Sequence, residues 1–308
     1  MSVEEDGFAT MSKPEQPLIA AVELGGTKSI AIIARGGEIL DRHTLPTIEP
    51  EQTLPPLAKW LAAQSSDYAA FGMASFGPVR IAPGTSDYGH ILATPKPGWA
   101  NVDVLAPFAG LGVPMAIDTD VNAAALAEYR WGAGQGASCV TYVTIGTGIG
   151  GGTMVDGLTI KGRLHPEIGH IRSPRQAGDS FAGHCPFHGD CAEGLLAGPS
   201  LAARFGEPPA NVPPDDPRWD APAGDLAHLL MTLLLSYAPQ QILLGGGVSL
   251  GAPWLIDRAV ERLPDLLAGY FPDLDEAALK QMIGTPALGA DAGPLGAVAI
   301  AELALAGR

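Results

Sequence analysis

The 308-residue sequence has only three cysteines, Cys139, Cys185 and Cys191, too few for a disulfide framework. That usage fits a reducing cytoplasm. Lys and Arg are also scarce, 18 against 33 Asp and Glu, for a net charge of −15 without a basic tract. Such a chain does not attract a phosphate backbone at long range, which argues against nucleic acid and anionic membrane as partners. No apolar run is long enough to span a bilayer; the nearest, Leu295–Leu305, is short and contains Glu302. Met1–Lys13 is polar and acidic and lacks the basic start and apolar run of a secretory signal.

Glycine (40) and proline (28) are abundant and follow no fixed period, so they mark many tight turns rather than a fibre. Apolar residues make up 46%, enough for a sizeable core. Residues 1–16 read as a loose tail. Strands are expected over 18–24, 29–34 and 38–43, an antiparallel meander with a Gly25-Gly26-Thr27-Lys28 turn, followed by a helix over 51–64 and a strand over 71–76. Residues 80–103 are irregular and read as a functional loop. A short strand over 115–117 leads into a helix over 120–131, which Asp120 or Asn122 could cap. Cys139–Ile145, Gly146–Gly152 and Thr153–Ile160 then repeat the opening form of strand, glycine turn and strand, as in two related lobes; Cys139 itself reads as core. Beyond a loop over 161–192, helices are expected near 193–205, 223–237 and 294–306, with a strand over 241–244. Residues 207–222, rich in Pro and Asp, read as a surface excursion.

Successive glycines at a turn can aim several backbone N–H groups at one anion. Three such turns follow strands: 25–28, 146–152 and 245–247. Gly146, Gly148 and Gly151 spell G-x-G-x-x-G, but strand-forming residues follow where a dinucleotide fold needs a helix. No Walker loop is present. The phosphates would therefore lie between hairpins, in a cleft between lobes. Asp118-Thr119-Asp120-Val121-Asn122 sits between a buried strand and a helix, where a carboxylate can orient an alcohol and take its proton. Asp120 is the candidate base; the alternative is that it only caps the helix. Cys185, His188 and Cys191 form C-x-x-H-x-x-C, thiolate and imidazole at a spacing suited to tetrahedral structural zinc. His170 is the first choice for fourth ligand, with His184 and His165 in reserve.

These residues resemble the ROK kinases (repressors, open reading frames and kinases), and within them the bacterial fructokinases. The resemblance rests on Glu23–Lys28, Ser75-Phe76-Gly77-Pro78, Thr94-Pro95-Lys96-Pro97-Gly98-Trp99, Asp118–Ala124, Ile145–Gly152, Glu167-Ile168-Gly169-His170, the cysteine loop with Glu193, Gly245–Val248 and Asp291-Ala292-Gly293. It implies an α/β actin-like ATPase (ribonuclease H-like) fold, with two βββαβα lobes of mixed sheet flanked by helices. The lobes would cover 17–119 and 120–293, and a C-terminal helix over 294–308 would pack back on the first. It implies Asp120 as catalytic base, and a sugar pocket lined by Glu167, His170, Glu193 and Gly77. ATP with Mg²⁺ would meet Gly25, Gly26, Thr27, Lys28, Thr147, Gly148, Pro199, Gly245, Gly246, Gly247, Val248 and Ser249. Zinc would be held by His170, Cys185, His188 and Cys191.

Glu23, Thr119 and the histidine within the cysteine loop resemble the fructokinase branch rather than the glucokinases. Arg80 stands where the family has an acidic residue. The expected activity is ATP-dependent phosphorylation of D-fructose to fructose 6-phosphate. Glucose, mannose or an N-acetyl hexosamine are the alternative sugars, and a non-catalytic sugar-responsive regulator is a further one. The regulators carry a helix-turn-helix ahead of the kinase-like body, and the 17 or so residues before the first strand are too few for it. Analogy within the family favours a homodimer.

Overall fold

Strand β1 (Ile19–Leu24) is buried along almost its whole length, as an apolar run flanked by strands on both sides must be. The computed structural model describes residues 16–94 and 96–307. The tail over 1–15, Pro95 of the Thr94–Trp99 run, and Arg308 lie outside the described residues. β2 (Lys28–Arg35) and β3 (Glu38–Pro46) complete the antiparallel meander. β3 is the edge strand and alternates exposed with half-buried residues. After α1 (Pro50–Gln64), β4 (Ala70–Ser75) pairs in parallel with β1, and β5 (Met115–Thr119) with β4. The order is β3-β2-β1-β4-β5. Helix α2 (Asp120–Trp131) follows directly.

The second sheet repeats this plan. β6 (Cys139–Ile145), β7 (Ile149–Val155) and β8 (Leu158–Thr159) form the meander. The helices α3 (Ala192–Leu196), α4 (Gly198–Phe205) and α5 (Asp220–Tyr237) lead to β9 (Gln241–Gly245), parallel to β6. Then come α6 (Gly246–Gly251), α7 (Pro253–Val260), α8 (Leu263–Leu267), α9 (Glu276–Met282), β10 (Ile283–Gly284) and α10 (Ala292–Leu305). The order β8-β7-β6-β9-β10 matches that of the first sheet strand for strand. Both sheets are mixed and flanked by helices, which is the α/β actin-like architecture expected.

Helices α2 and α10 fill the layer between the two sheets. Their core joins Ile19, Ile30 and Ile32 of the first sheet to Val140, Met154 and Leu243 of the second. This explains why α10 is apolar on every side: both of its faces are covered. Small residues allow the close approach. A Cβ on Gly296 would lie 2.1 Å from the Ala123 carbonyl oxygen, and one on Gly72 would lie 1.9 Å from that of Ala297.

Several elements differ from the sequence reading. The glycine turn is confined to 146–148, because Gly150, Gly151 and Gly152 belong to β7. Side chains there would collide with Val121, Ile168 and Asn122, so these glycines serve packing rather than turning. The expected strand over 153–160 is broken by Asp156-Gly157, both left-handed (φ 49° and 81°), the signature of a type I′ hairpin. The helix near 193–205 is two helices separated by extended Ala197. Gly246 and Gly247, read as a turn, open α6. Helices α7 to α9 were not foreseen. The 207–222 segment is not only surface, since Trp219 is fully buried and donates from Nε1 to the Pro213 carbonyl at 3.1 Å.

Candidate active site

Thr119, not Asp120, caps α2: its Oγ1 accepts the Asn122 N–H at 3.1 Å. Asp120 is the first residue of the helix, and its Oδ1 accepts the adjacent Val121 N–H at 2.9 Å. The expectation that Asp120 or Asn122 caps the helix is therefore corrected, and the Asp120 carboxylate is released for another use. Behind it, buried Asp118 accepts from Thr119 N–H, Asn122 Nδ2 and Thr159 Oγ1 at 2.6–2.7 Å, with Lys161 Nζ at 3.8 Å. Asp118 thus ties the β5–α2 junction to the far sheet.

Two carboxyls, Glu23 and Glu167, converge on Asp120. Burial pushes Asp120 itself up to about 6. Glu23, at the end of β1, is pushed up to about 7 by burial and then by the Asp120 charge, with Lys28 and Arg42 pulling the other way. Glu23 fits because Gly293 carries no side chain, as a Cβ there would lie 2.2 Å from its Oε1. Glu167 keeps 43% of its side-chain surface, yet partial burial, Glu193 and Asp120 together raise it to about 7. Acidic groups held this high mark a site prepared for ligand or proton traffic.

The two glycine turns of the second sheet meet at the carboxyl ends of their strands. Thr144 of β6 pairs with Gly245 of β9, and Gly198 N–H donates to the Gly146 carbonyl at 2.7 Å. A Cβ on Gly246 would lie 2.4 Å from the Ile145 carbonyl oxygen. Turn 146–148, Gly198-Pro199 and the opening of α6 are thereby brought together, with Thr147, Pro199 and Gly247 exposed to the cleft. Ser249, expected at the nucleotide, is buried, and its hydroxyl has no hydrogen-bond partner among the described residues. Glu193 reaches the same hairpin: its Oε2 accepts the Ile149 N–H at 3.0 Å and fills the space beside Gly148.

His165 crosses between the sheets. Burial holds its imidazole below the ordinary value, hence neutral. Its Nε2 accepts the Val79 N–H at 3.3 Å, so the proton sits on Nδ1, which faces Glu167 Oε1 at 3.4 Å. Its ring also lies against Gly77, where a Cβ would be 3.2 Å away. Nearby, Arg80 pairs with Asp87 at 3.0 Å and donates to the Arg163 carbonyl at 3.4 Å. Sequence reasoning placed His165 among the reserve metal ligands. It missed this role, and it missed Asp118 as a hub, because both depend on contacts distant in sequence.

His170, Cys185, His188 and Cys191 bring one ligand atom each within 4.8 Å of one another. His170 Nδ1 lies 3.6 Å from Cys191 Sγ and 3.8 Å from Cys185 Sγ, and Cys185 Sγ lies 3.9 Å from His188 Nδ1. A tetrahedron with sulfur at about 2.3 Å and nitrogen at about 2.0–2.1 Å from its centre has edges of roughly 3.3–3.8 Å. The cluster therefore fits a zinc ion. A three-residue loop shapes it, with Cys185 and Gly189 exchanging both backbone hydrogen bonds at 3.0–3.1 Å. Burial pushes the Cys191 thiol up to about 11, so a thiolate here needs a compensating cation. His184 and His165 are not in the cluster, which leaves His170 as the fourth group.

The ROK family model matches residues 19–303. The chain belongs to the ROK family. It is 38% identical over 300 residues to a fructokinase of Zymomonas mobilis, covering 94% of this chain and 98% of that protein. A fructokinase of Pediococcus pentosaceus is 36% identical over 292 residues, 94% of this chain and 99% of that one. Among solved structures, the ROK hexokinase of Thermus thermophilus superposes with a TM-score of 0.76 at 26% identity, covering 94% of this chain and all of that one. With the family established, the duplicated sheets are the two halves of a sugar-kinase fold, and the Asp120 junction lies between them. Among the described residues no helix is long and apolar enough to cross a membrane.

Proposed function

We propose that this ROK protein transfers the γ-phosphoryl group of ATP to the 6-hydroxyl of D-fructose, giving fructose 6-phosphate and ADP. The observation that carries the reading is the Asp120 carboxylate, released from capping by Thr119 and set at the cleft between the two glycine-turn systems. The 36–38% identity to fructokinases over most of the chain supports fructose as the sugar. On this reading residues 17–119 and 120–293 are the lobes that close on the substrates.

Asp120 accepts the hydroxyl proton as the oxygen attacks phosphorus, a role suited to a carboxyl poised near neutral pH. Glu167, Glu193 and the Gly77 backbone orient the sugar, and His165 fixes Glu167 against the opposite lobe. The turns 25–28 and 146–148, Gly198-Pro199 and 245–249 receive the nucleotide, their N–H groups meeting negative charge on the phosphates. Mg²⁺ enters with ATP as part of the substrate and neutralises phosphate charge. Zinc would be held by His170, Cys185, His188 and Cys191, and with no ligand position left open it would be structural. Holding the ion through Nδ1, the atom that faces both thiols, His170 would keep Nε2 for a sugar hydroxyl.

Phosphorus NMR of a reaction with fructose and MgATP tests the reading. The expected product is fructose 6-phosphate, with ADP in equal amount. Fructose 1-phosphate would move the reacting hydroxyl, and no phosphorylated sugar would remove the proposal.

A further inference from the structure

Lys96 comes from the irregular segment between β4 and β5, yet its ammonium lies against the turn between β1 and β2. Nζ donates to the Gly26 carbonyl at 2.7 Å and to the Thr47 carbonyl at 3.3 Å. Thr47 ties down the neighbouring carbonyls. Its Oγ1 donates to the Gly25 oxygen at 2.8 Å, and its N–H donates to the Thr27 oxygen at 2.9 Å. Three successive carbonyls of one turn are thus held by two residues that touch each other. In a trans peptide the C=O and the following N–H point in opposite directions. Fixing the Gly25, Gly26 and Thr27 carbonyls toward Thr47 and Lys96 therefore turns the Gly26, Thr27 and Lys28 N–H groups the other way, as a nest for an anion.

The position of Lys96 is itself built. Trp99, fully buried, donates from Nε1 to the Ile48 carbonyl at 2.8 Å. Gly98 is left-handed (φ 76°) and packs where a Cβ would meet Glu49 Oε2 at 2.1 Å. The Lys96 backbone N–H is taken by Thr94 Oγ1 at 3.3 Å. The loop is fastened to the segment that follows β3, so the reach of Lys96 is set in advance.

We infer that Lys96 is a positioning residue for the nucleotide, holding the Gly25–Lys28 turn from behind so that its N–H groups, above all that of Thr27, face the phosphates of ATP. The inference rests on the reading of this turn as a phosphate site. A charge-assisted bond to a carbonyl that orients the turn predicts loss of ATP affinity rather than of sugar affinity. Amide hydrogen exchange with and without MgATP, together with steady-state kinetics of full-length wild type, Lys96→Met and Lys96→Arg, tests it. MgATP is expected to protect the peptide covering 25–28 in wild type. Lys96→Met should weaken that protection and raise the KM for ATP by about tenfold, with the fructose KM changed by less than about twofold. Lys96→Arg, which keeps donors at that place, should return the ATP KM toward the wild-type value. If wild type is protected but Lys96→Met keeps both protection and ATP KM, the role of Lys96 is overturned and the phosphate turn stands. If MgATP leaves the wild-type turn unprotected, the phosphate-site reading fails and takes the inference with it.

Discussion

The Thr119 hydroxyl accepts the Asn122 amide at 3.1 Å and so relieves Asp120 of the capping its position invites. A carboxylate at the start of a helix, not serving as its cap and lifted to about 6, is available as a base.

The first prediction concerns catalysis. Asp120→Asn should lower kcat by about 10²–10⁴-fold, the usual worth of a positioned base, while fructose binding survives. In wild type, kcat/KM for fructose should fall as pH drops through about 6, where Asp120 takes up a proton. A pH profile flat from 5 to 8, or a variant with near-normal turnover, would contradict the assignment.

The same group bears on stability. Its pKa is raised in the folded state, so the folded chain binds the proton more tightly than the unfolded chain between about 3.8 and 6. Stability is therefore lost as pH rises through that window, and the cost is complete above it. Without ligands, Asp120→Asn should be more stable than wild type at pH 8 by on the order of 1 kcal/mol, and no more stable at pH 4. Urea unfolding at the two pH values measures the difference; equal gains at both would remove burial of the charge as its cause.

Metal analysis of the purified protein should find one zinc per chain, lost in Cys185→Ser and Cys191→Ser. Its removal should lower Tm by more than about 5 °C, because the four ligands come from two separated segments that the ion joins. Activity should fall with it, since His170 lies three residues from Glu167 and Cys191 two before Glu193. A metal-free protein with unchanged Tm and turnover is the opposing result.

Packing between α2 and α10 gives a further prediction. Gly296→Ala places a methyl 2.1 Å from the Ala123 carbonyl oxygen, which is backbone and cannot swing aside. Destabilisation of about 2–3 kcal/mol is expected in denaturant unfolding. An unchanged midpoint would mean that the two helices are free to separate.

Much of this was legible in the sequence. The two meanders could be read because apolar strands are punctuated by glycine turns, and their recurrence disclosed the duplication. The Cys/His cluster was legible because three of its four members fall within seven residues. Helices α7 to α9 were not, being short and broken by Pro253, Pro264 and Gly269, so no apolar period had room to establish itself. Glycines 150–152 looked like turn and are strand, because the demand for small residues comes from α2 over Gly150 and Gly152 and from Ile168 over Gly151. Local sequence also could not separate Thr119 from Asp120 as the cap, nor send His165 to Val79 and Lys96 to Gly26, contacts 86 and 70 residues apart.

The most direct test of the account is ADP release across a sugar panel with MgATP: fructose, glucose, mannose, N-acetylglucosamine and N-acetylmannosamine. Fructose should give the highest kcat/KM, and Asp120→Asn should remove the signal with that sugar. A higher kcat/KM for another hexose would contradict the choice of fructose, and no ADP release with any sugar would contradict the kinase itself.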